Sequence, residues 1–150
     1  MMENIVRKGY YSVHESFNTW EEAVRASVQP LIDSGAVKSA YADSIVESVK
    51  KYGPYIVIAP DIAIPHAEDQ TNVNETTICF MKTNKPVVFD EDDRDKDAHL
   101  FFALASNDSN KHIENLAKLV SYLDNDEFVN KLQKATSRDE IGAILTSYMD

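Results

Sequence analysis

One histidine, His66, stands directly after a proline at the end of a short apolar stretch, where its side chain can be aimed. Residues 53–68 read GPYIVIAPDIAIPHAE. The apolar and partly β-branched residues 55–59 predict a buried strand, and residues 62–64 predict a second short extended run. Pro65 fixes its own φ and disfavours helical geometry in the residue before it. His66 therefore follows stiff backbone, and its imidazole offers a neutral, nucleophilic nitrogen near pH 7.

A second histidine, His112, follows the next long apolar run. Residues 98–105 are apolar on both alternating faces, which predicts a central strand covered on both sides. A helix is expected to start near Ser109 or Asn110, and with Ser109 as the N-cap, His112 lies in the first turn. That end of a helix has unpaired N–H groups and a partial positive charge, which suit a phosphoryl group. Taken alone, each histidine is more often a satisfied or solvated residue than a reactive one.

The stretch around His66 resembles a known family of proteins. In residues 53–67 the GPY start, the alanine–proline pair and the PHA end match a run that reads GPY-aliphatic-APG-aliphatic-A-aliphatic-PH-G/A. That run is typical of the ascorbate branch of enzyme IIA domains, mannitol/fructose type, of the bacterial sugar phosphotransferase system. The resemblance extends from Thr19 to about Tyr148. It implies the mannitol-type enzyme IIA fold.

The resemblance implies a phosphotransferase that carries phosphoryl groups and uses no cofactor or metal. His66 is the implied phosphoryl acceptor, and His112 is the implied second site histidine, which stabilises the phosphoryl group. The implied donor is the phosphocarrier HPr, and the implied acceptor is the cysteine of a separate enzyme IIB, which serves the membrane enzyme IIC. The resemblance does not determine which sugar is transported or which ring nitrogen is phosphorylated. It also leaves open whether the protein is a monomer or a homodimer.

Two other functions also stay open. A regulatory relative would use the same phosphohistidine to control binding to another protein. A metal-dependent hydrolase using His66, His112 and nearby carboxylates is disfavoured, because no pair of ligands has H-x-x-x-H spacing.

Three residues near the site depart from the family pattern. Glu68 stands where the family commonly has arginine, and Asp61 stands where it commonly has glycine. A unit charge at 4 Å is worth about 1 kcal/mol in water and about 4 kcal/mol at an effective dielectric of 20, so either carboxylate has the capacity to weaken phosphorylation. Alternatively, Asp61 hydrogen-bonds the His66 ring and fixes its tautomer. Lys50 occupies the place of an arginine of the mannitol branch, counted without gaps, and is a candidate phosphate-binding residue.

Composition narrows the possible partners of the protein and its location in the cell. The net charge of −10 argues against nucleic acid as a partner, because phosphate backbones require clustered lysine and arginine. The lone cysteine, Cys79, lies in an apolar run, which predicts core packing and fits a reducing compartment. No apolar run reaches the roughly 18 residues that cross a bilayer, so a cytoplasmic location without membrane insertion is expected. The acidic run Asp90–Asp97 lacks the glycine and glutamate of a calcium loop and predicts a solvated loop.

The remaining pattern predicts one α/β domain over residues 1–150, with a mixed central β-sheet and helices on both faces, a three-layer sandwich. Residues 1–9 are expected to be a loose leader. Helices are predicted from Thr19 to Gly35, from Ser39 to Tyr52 and through the C-terminal third, with capping boxes at Thr19 and Ser137. Strands are predicted at residues 10–17, 76–82, 87–89 and 98–105. The inward helix faces are expected to include Tyr52, Ile113 and Val120.

Overall fold

The computed structural model describes residues 1–149 as five strands and six α-helices. The helices are α1 (Met2–Lys8), α2 (Trp20–Asp33), α3 (Ala40–Tyr52), α4 (Ser109–Leu123), α5 (Asp126–Lys134) and α6 (Arg138–Ser147). The strands are β1 (Tyr11–His14), β2 (Val57–Ala59), β3 (Asp61–Ala63), β4 (Thr77–Val87) and β5 (Ala98–Ala105), with a short 3-10 turn at Arg94–Lys96. None of the helices in this part of the chain is both long and apolar enough to cross a membrane.

The five strands form one mixed sheet in the order β1-β4-β5-β3-β2. The central pair, β4 and β5, is antiparallel, whereas β1 runs parallel to β4 and β3 runs parallel to β5. Both faces of the sheet are covered by helices. Cys79 of β4 contacts α2 through Ser27, and Lys82, three residues further on the opposite face, contacts the end of α5. The predicted α/β architecture is therefore confirmed.

The parallel pairing of β3 with β5 explains how two distant histidines meet. Parallel strands end at the same edge of a sheet, so the segments that follow them lie side by side. His66 comes three residues after β3, and His112 lies in the first turn of the helix that follows β5. The backbone N–H of Leu104 in β5 donates to the Pro65 carbonyl (2.9 Å), which extends the pairing up to the residue before His66.

Several elements differ from the sequence-based predictions. Residues 1–9 are not a loose leader: α1 packs on α6, and both Met2 and Ile5 are fully buried. The two strands predicted between residues 76 and 89 are the single strand β4, which carries an irregularity between Lys82 and Val87. The capping boxes at Thr19 and Ser137 are confirmed, since their hydroxyls accept from the N–H groups of Glu22 and Glu140.

The prediction of which helix residues face the core was partly wrong. Tyr52 is 69% exposed and Ile113 is 66% exposed, and Val120 also faces solvent. In α4 only Leu119 is fully buried, because this helix packs on α5 at the edge of the fold and leaves most of its surface free. Ile113 instead lies beside His112 at the rim of a surface hollow.

Candidate functional site

His66 and His112 face each other across a hollow of about 410 Å³. Their ring centroids are 5.6 Å apart, and the ring planes are inclined by 42°. Ser106 and Gln70 also line the hollow, and Ile113 closes one side. The two histidines predicted from the sequence are thus brought together at the carboxyl edge of the parallel strands β3 and β5.

The His66 ring is held in one tautomer by the backbone of its own segment. Its Nδ1 atom lies 2.6 Å from the carbonyl oxygen of Ile64. A carbonyl oxygen only accepts hydrogen bonds, so Nδ1 carries the proton and Nε2 has the free lone pair. The Ile64 peptide is itself fixed, because its N–H donates to the Ile56 carbonyl (2.8 Å) across the β2–β3 hairpin. Nε2 is therefore the ring nitrogen of His66 with a lone pair available.

Two tyrosines hold the peptide group that follows His66. The Tyr55 hydroxyl donates to the His66 carbonyl (2.5 Å), and its ring meets the His66 ring edge-on at 5.3 Å. The Tyr41 hydroxyl accepts from the Ala67 N–H (3.2 Å) and donates to the Leu104 carbonyl (2.7 Å). The sequence analysis assigned neither tyrosine to the site; the tyrosine of the GPY run was the one available signal for Tyr55.

His112 is kept neutral in the free protein. Partial burial lowers its pKa, the adjacent His66 lowers it further, and Glu68 works in the opposite direction. A neutral His112 ring still has one N–H group, which is able to donate a hydrogen bond to an oxygen placed between the two rings.

The start of α4 differs from the prediction. Asp108, not Ser109, is the N-cap, and its carboxylate accepts from the N–H groups of Asn110 (2.9 Å) and Lys111 (3.1 Å). These two first-turn N–H groups are occupied and do not face an incoming anion. Ser109 instead accepts a hydrogen bond from the Gln70 amide (3.0 Å), which ties the segment after His66 to the helix that carries His112.

The structure separates the three supporting candidates. Asp61 does not reach His66: its carboxylate accepts from His99 Nδ1 (2.5 Å) and from the Gln133 amide (2.9 Å). Lys50 lies on the exposed surface of α3 at 4.0 Å from Glu47 and lines neither hollow beside His66.

Glu68 is the one supporting candidate that lies at the site. It is exposed, and it lines both the hollow described above and a second one of about 540 Å³ on the other side of His66. The second hollow is also lined by Ser44, Ser48, Tyr52 and Tyr55.

The arrangement suits transfer of a phosphoryl group. A tautomer-locked imidazole has the properties of a nucleophile, and a second imidazole across a hollow has an N–H group that suits the oxygens of a phosphoryl group. Among residues 1–149, no three histidine, cysteine, aspartate or glutamate side chains lie where they would hold a metal ion. Cys79, fully buried and with its thiol pKa raised by burial, is not a second nucleophile.

The fold and the paired histidines define an enzyme IIA-type protein. The family model of the phosphoenolpyruvate-dependent sugar phosphotransferase system, EIIA 2, matches residues 4–148, and the chain belongs to this family. The ascorbate-specific EIIA component of Escherichia coli K12 is 31% identical over 124 residues, which are 82% of this chain and 80% of that protein.

Solved structures give the same result. The mannitol-specific cryptic enzyme IIA of Escherichia coli has a TM-score of 0.87 at 25% identity, covering 97% of this chain and 98% of the other. Enzyme IIAMtl of Escherichia coli, determined in complex with phosphorylated enzyme IIBMtl, has a TM-score of 0.76 at 26% identity, covering 92% and 94%.

Proposed function

We propose that this protein is a cytoplasmic phosphocarrier that accepts a phosphoryl group on His66 Nε2 from phospho-HPr and passes it to the cysteine of an enzyme IIB. The observation that carries the proposal is the hydrogen bond from His66 Nδ1 to the Ile64 carbonyl, which leaves Nε2 as the nucleophile beside His112. Family membership supports phosphoryl transfer as the chemistry.

The phosphoryl group moves in two steps, first from a nitrogen of the donor to a nitrogen of His66 and then from His66 to a sulfur of the partner. The lone pair of His66 Nε2 forms a bond to phosphorus as the N–P bond of the donor phosphohistidine breaks, and the donor imidazole leaves with that electron pair. The Nδ1 proton stays on the His66 ring, where the Ile64 carbonyl holds it. In the second step a cysteine thiolate of the partner attacks phosphorus and His66 Nε2 recovers its lone pair. In-line transfer of this kind depends on positioning and charge stabilisation more than on acid–base catalysis.

His112 stabilises the phosphoryl group once it arrives. Its neutral ring donates one hydrogen bond to a phosphoryl oxygen, and a protonated ring would add a positive charge. Lys50 does not line this hollow, and the first-turn amides of Asn110 and Lys111 are bound by Asp108, so His112 is the ionisable donor that faces His66 there.

The surface around His66 suits a protein donor and a protein acceptor. Ile113 is a large apolar side chain exposed at the rim of the hollow, and such residues are common where proteins dock. The net negative charge of the chain suits docking of a basic protein surface, and HPr is expected to present such a surface to it. The relatives named for ascorbate favour an ascorbate-like sugar as the substrate of the associated permease, enzyme IIC.

Labelling tests the proposal. Incubation with phosphoenolpyruvate, enzyme I and HPr is expected to add one phosphoryl group, which His66→Ala abolishes. His112→Ala retains labelling at a rate at least tenfold lower, since a lost phosphoryl donor costs about 1.5–3 kcal/mol. The control is His14→Ala, at the opposite edge of the sheet from the site, which is expected to keep the full rate of labelling. Labelling that survives His66→Ala would overturn the assignment, and label that does not pass to any enzyme IIB would favour the regulatory alternative.

A further inference from the structure

The two peptide groups that flank the His66 Cα are tied to different parts of the fold. The Pro65 carbonyl accepts from Leu104 of β5, the His66 carbonyl accepts from Tyr55, and the Ala67 N–H donates to Tyr41. Loop peptides are usually hydrated, so this density of protein partners is unusual for a segment that has no regular secondary structure. The two tyrosines come from α3 and from the turn before β2, neither of which carries a site histidine.

Tyr41 makes an obligatory link. Its side chain is 1% exposed, and its hydroxyl bridges the Leu104 carbonyl and the Ala67 N–H. Burial raises the pKa of Tyr41 to about 12, so the hydroxyl keeps its proton and acts as donor and acceptor at once. Without it both backbone groups would lack a partner where little water reaches them.

Tyr55 is different because its hydroxyl also has Ser48 as a hydrogen-bond partner. The side chain lies partly at the surface and lines the second hollow together with Ser48. It nevertheless donates to the His66 carbonyl and places its ring edge against the imidazole. The contact therefore restricts both the peptide and the ring of His66, and its consequence is orientation more than stability.

We propose that Tyr41 and Tyr55 are positioning residues for phosphoryl transfer, which clamp the peptide group between His66 and Ala67 from its two ends so that Nε2 faces the hollow. With that peptide group fixed, the imidazole keeps the short contact between Nδ1 and the Ile64 carbonyl, and the lone pair stays on Nε2. Neither tyrosine touches the transferred group. The proposal rests on the proposed function, because positioning matters here only if His66 is the nucleophile.

The chain provides a matched control in Tyr52. It lines the same hollow as Tyr55 and is 69% exposed, and its ring contacts the Lys51 ammonium, not the His66 segment. Tyr55→Phe removes one hydroxyl beside His66, and Tyr52→Phe removes one hydroxyl from the same surface without touching the clamp.

The test combines kinetics with the tautomer of His66. In steady-state phosphorylation by phospho-HPr, Tyr55→Phe is expected to lower kcat five- to thirtyfold with KM for HPr within twofold, because misplacement by about 1 Å costs up to 10²-fold. In ¹⁵N NMR spectra of the unphosphorylated variant, the Nδ1-protonated form of His66 is expected to be mixed with the other tautomer. Tyr52→Phe keeps the wild-type kcat and spectrum. If the Tyr41→Phe variant folds, its kcat is expected to fall by more than that of Tyr55→Phe. If it does not fold, the result for Tyr55→Phe alone decides whether the clamp exists.

The outcomes separate this proposal from the one on which it rests. A Tyr55→Phe variant with wild-type kcat and an unchanged His66 tautomer overturns the clamp, whatever His66 does. A wild-type protein whose labelling survives His66→Ala overturns the proposed function. In that case the ring spectrum still shows whether the tyrosines set the tautomer, since that measurement needs no phosphoryl donor.

Discussion

Phosphorylation of His66 is expected to drive proton uptake by His112, its neighbour across the hollow. In the free protein, burial and the adjacent His66 ring hold the pKa of His112 below its ordinary value. An arriving phosphoryl group reverses the balance, because it places negative charge where a neutral imidazole stood. The pKa of His112 should therefore rise on phosphorylation, and the ring should change from a neutral donor to a cationic one.

The size of the effect follows from the separation of the rings. Their centroids are 5.6 Å apart. Taking that distance, one negative charge stabilises a protonated imidazole by about 0.7 kcal/mol at the dielectric of water and about 3 kcal/mol at an effective dielectric of 20. Because the His66 ring keeps its Nδ1 proton, transfer of the phosphoryl group adds one net negative charge, and even about 0.7 kcal/mol is about a threefold increase in the affinity of His112 for a proton.

Histidine ¹⁵N NMR measures this directly. The titration of His112 is followed in the free protein and in protein kept phosphorylated by excess phosphoenolpyruvate, enzyme I and HPr. The midpoint should move to higher pH by an amount corresponding to at least about a threefold gain in proton affinity. His99 is the internal control, because it lies at the other end of β5 from the site and its ¹⁵N signals should not change on phosphorylation. A His112 titration that does not move in fully phosphorylated protein would refute the electrostatic role given to this residue.

Three further predictions concern stability and charge. Ile5→Ala should lower the free energy of unfolding in urea by about 2–5 kcal/mol, since the side chain is fully buried, whereas a loose leader would give almost no change. Asp61 has a φ of 71°, so Asp61→Ala should lose two hydrogen bonds and add backbone strain, which lowers the free energy of unfolding by about 2–4 kcal/mol. Asp61→Gly loses the same bonds without the strain, so its free energy of unfolding should fall by at least about 1 kcal/mol less. Equal losses in the two variants would contradict this. Glu68→Gln should speed phosphorylation of His66 two- to fivefold in rapid-quench assays, as removal of a nearby exposed charge predicts, and a slower variant would mean that the carboxylate assists transfer.

The pairing of His66 with His112 was predicted from the family resemblance, and local signals supported it by marking where the two strands end. Pro65 ends one strand, an apolar run marks the other, and the ends of parallel neighbours share an edge of the sheet. The tautomer lock and the tyrosine clamp were not predictable in this way. Tyr41 lies 26 residues from the Ala67 N–H that it accepts from, and only the packing of α3 against the sheet brings them together.

The first helix was missed for a related reason. Its seven residues make only two turns, and isolated helices of that length are marginal in water. What stabilises α1 is the burial of Met2 and Ile5 against α6, an element more than a hundred residues away in the sequence. The pattern of residues 1–9 contains no partner, so the prediction of a loose leader followed from reading them alone.

Asp61 shows how sequence proximity misleads inside a sheet. It is five residues before His66, which made a hydrogen bond to that ring a reasonable expectation. An extended chain advances about 3.3 Å per residue, so the two residues stand roughly 16 Å apart, with Asp61 at the start of β3 and His66 three residues beyond its end. The carboxylate is used there to bind His99 and Gln133, and its charge does not oppose phosphorylation of His66.

The charges at the site suit a carrier better than a strong phosphate binder. In the part of the chain that the structure describes, neither lysine nor arginine lines the two hollows beside His66. A fixed cation would stabilise the phosphorylated intermediate and the transition state alike, and such uniform stabilisation does not accelerate onward transfer. A histidine that gains its charge only when the phosphoryl group arrives, and loses it when the group departs, stabilises each passage without trapping the intermediate. The neutral His112 of the free protein and its expected protonation after transfer are two states of this one mechanism.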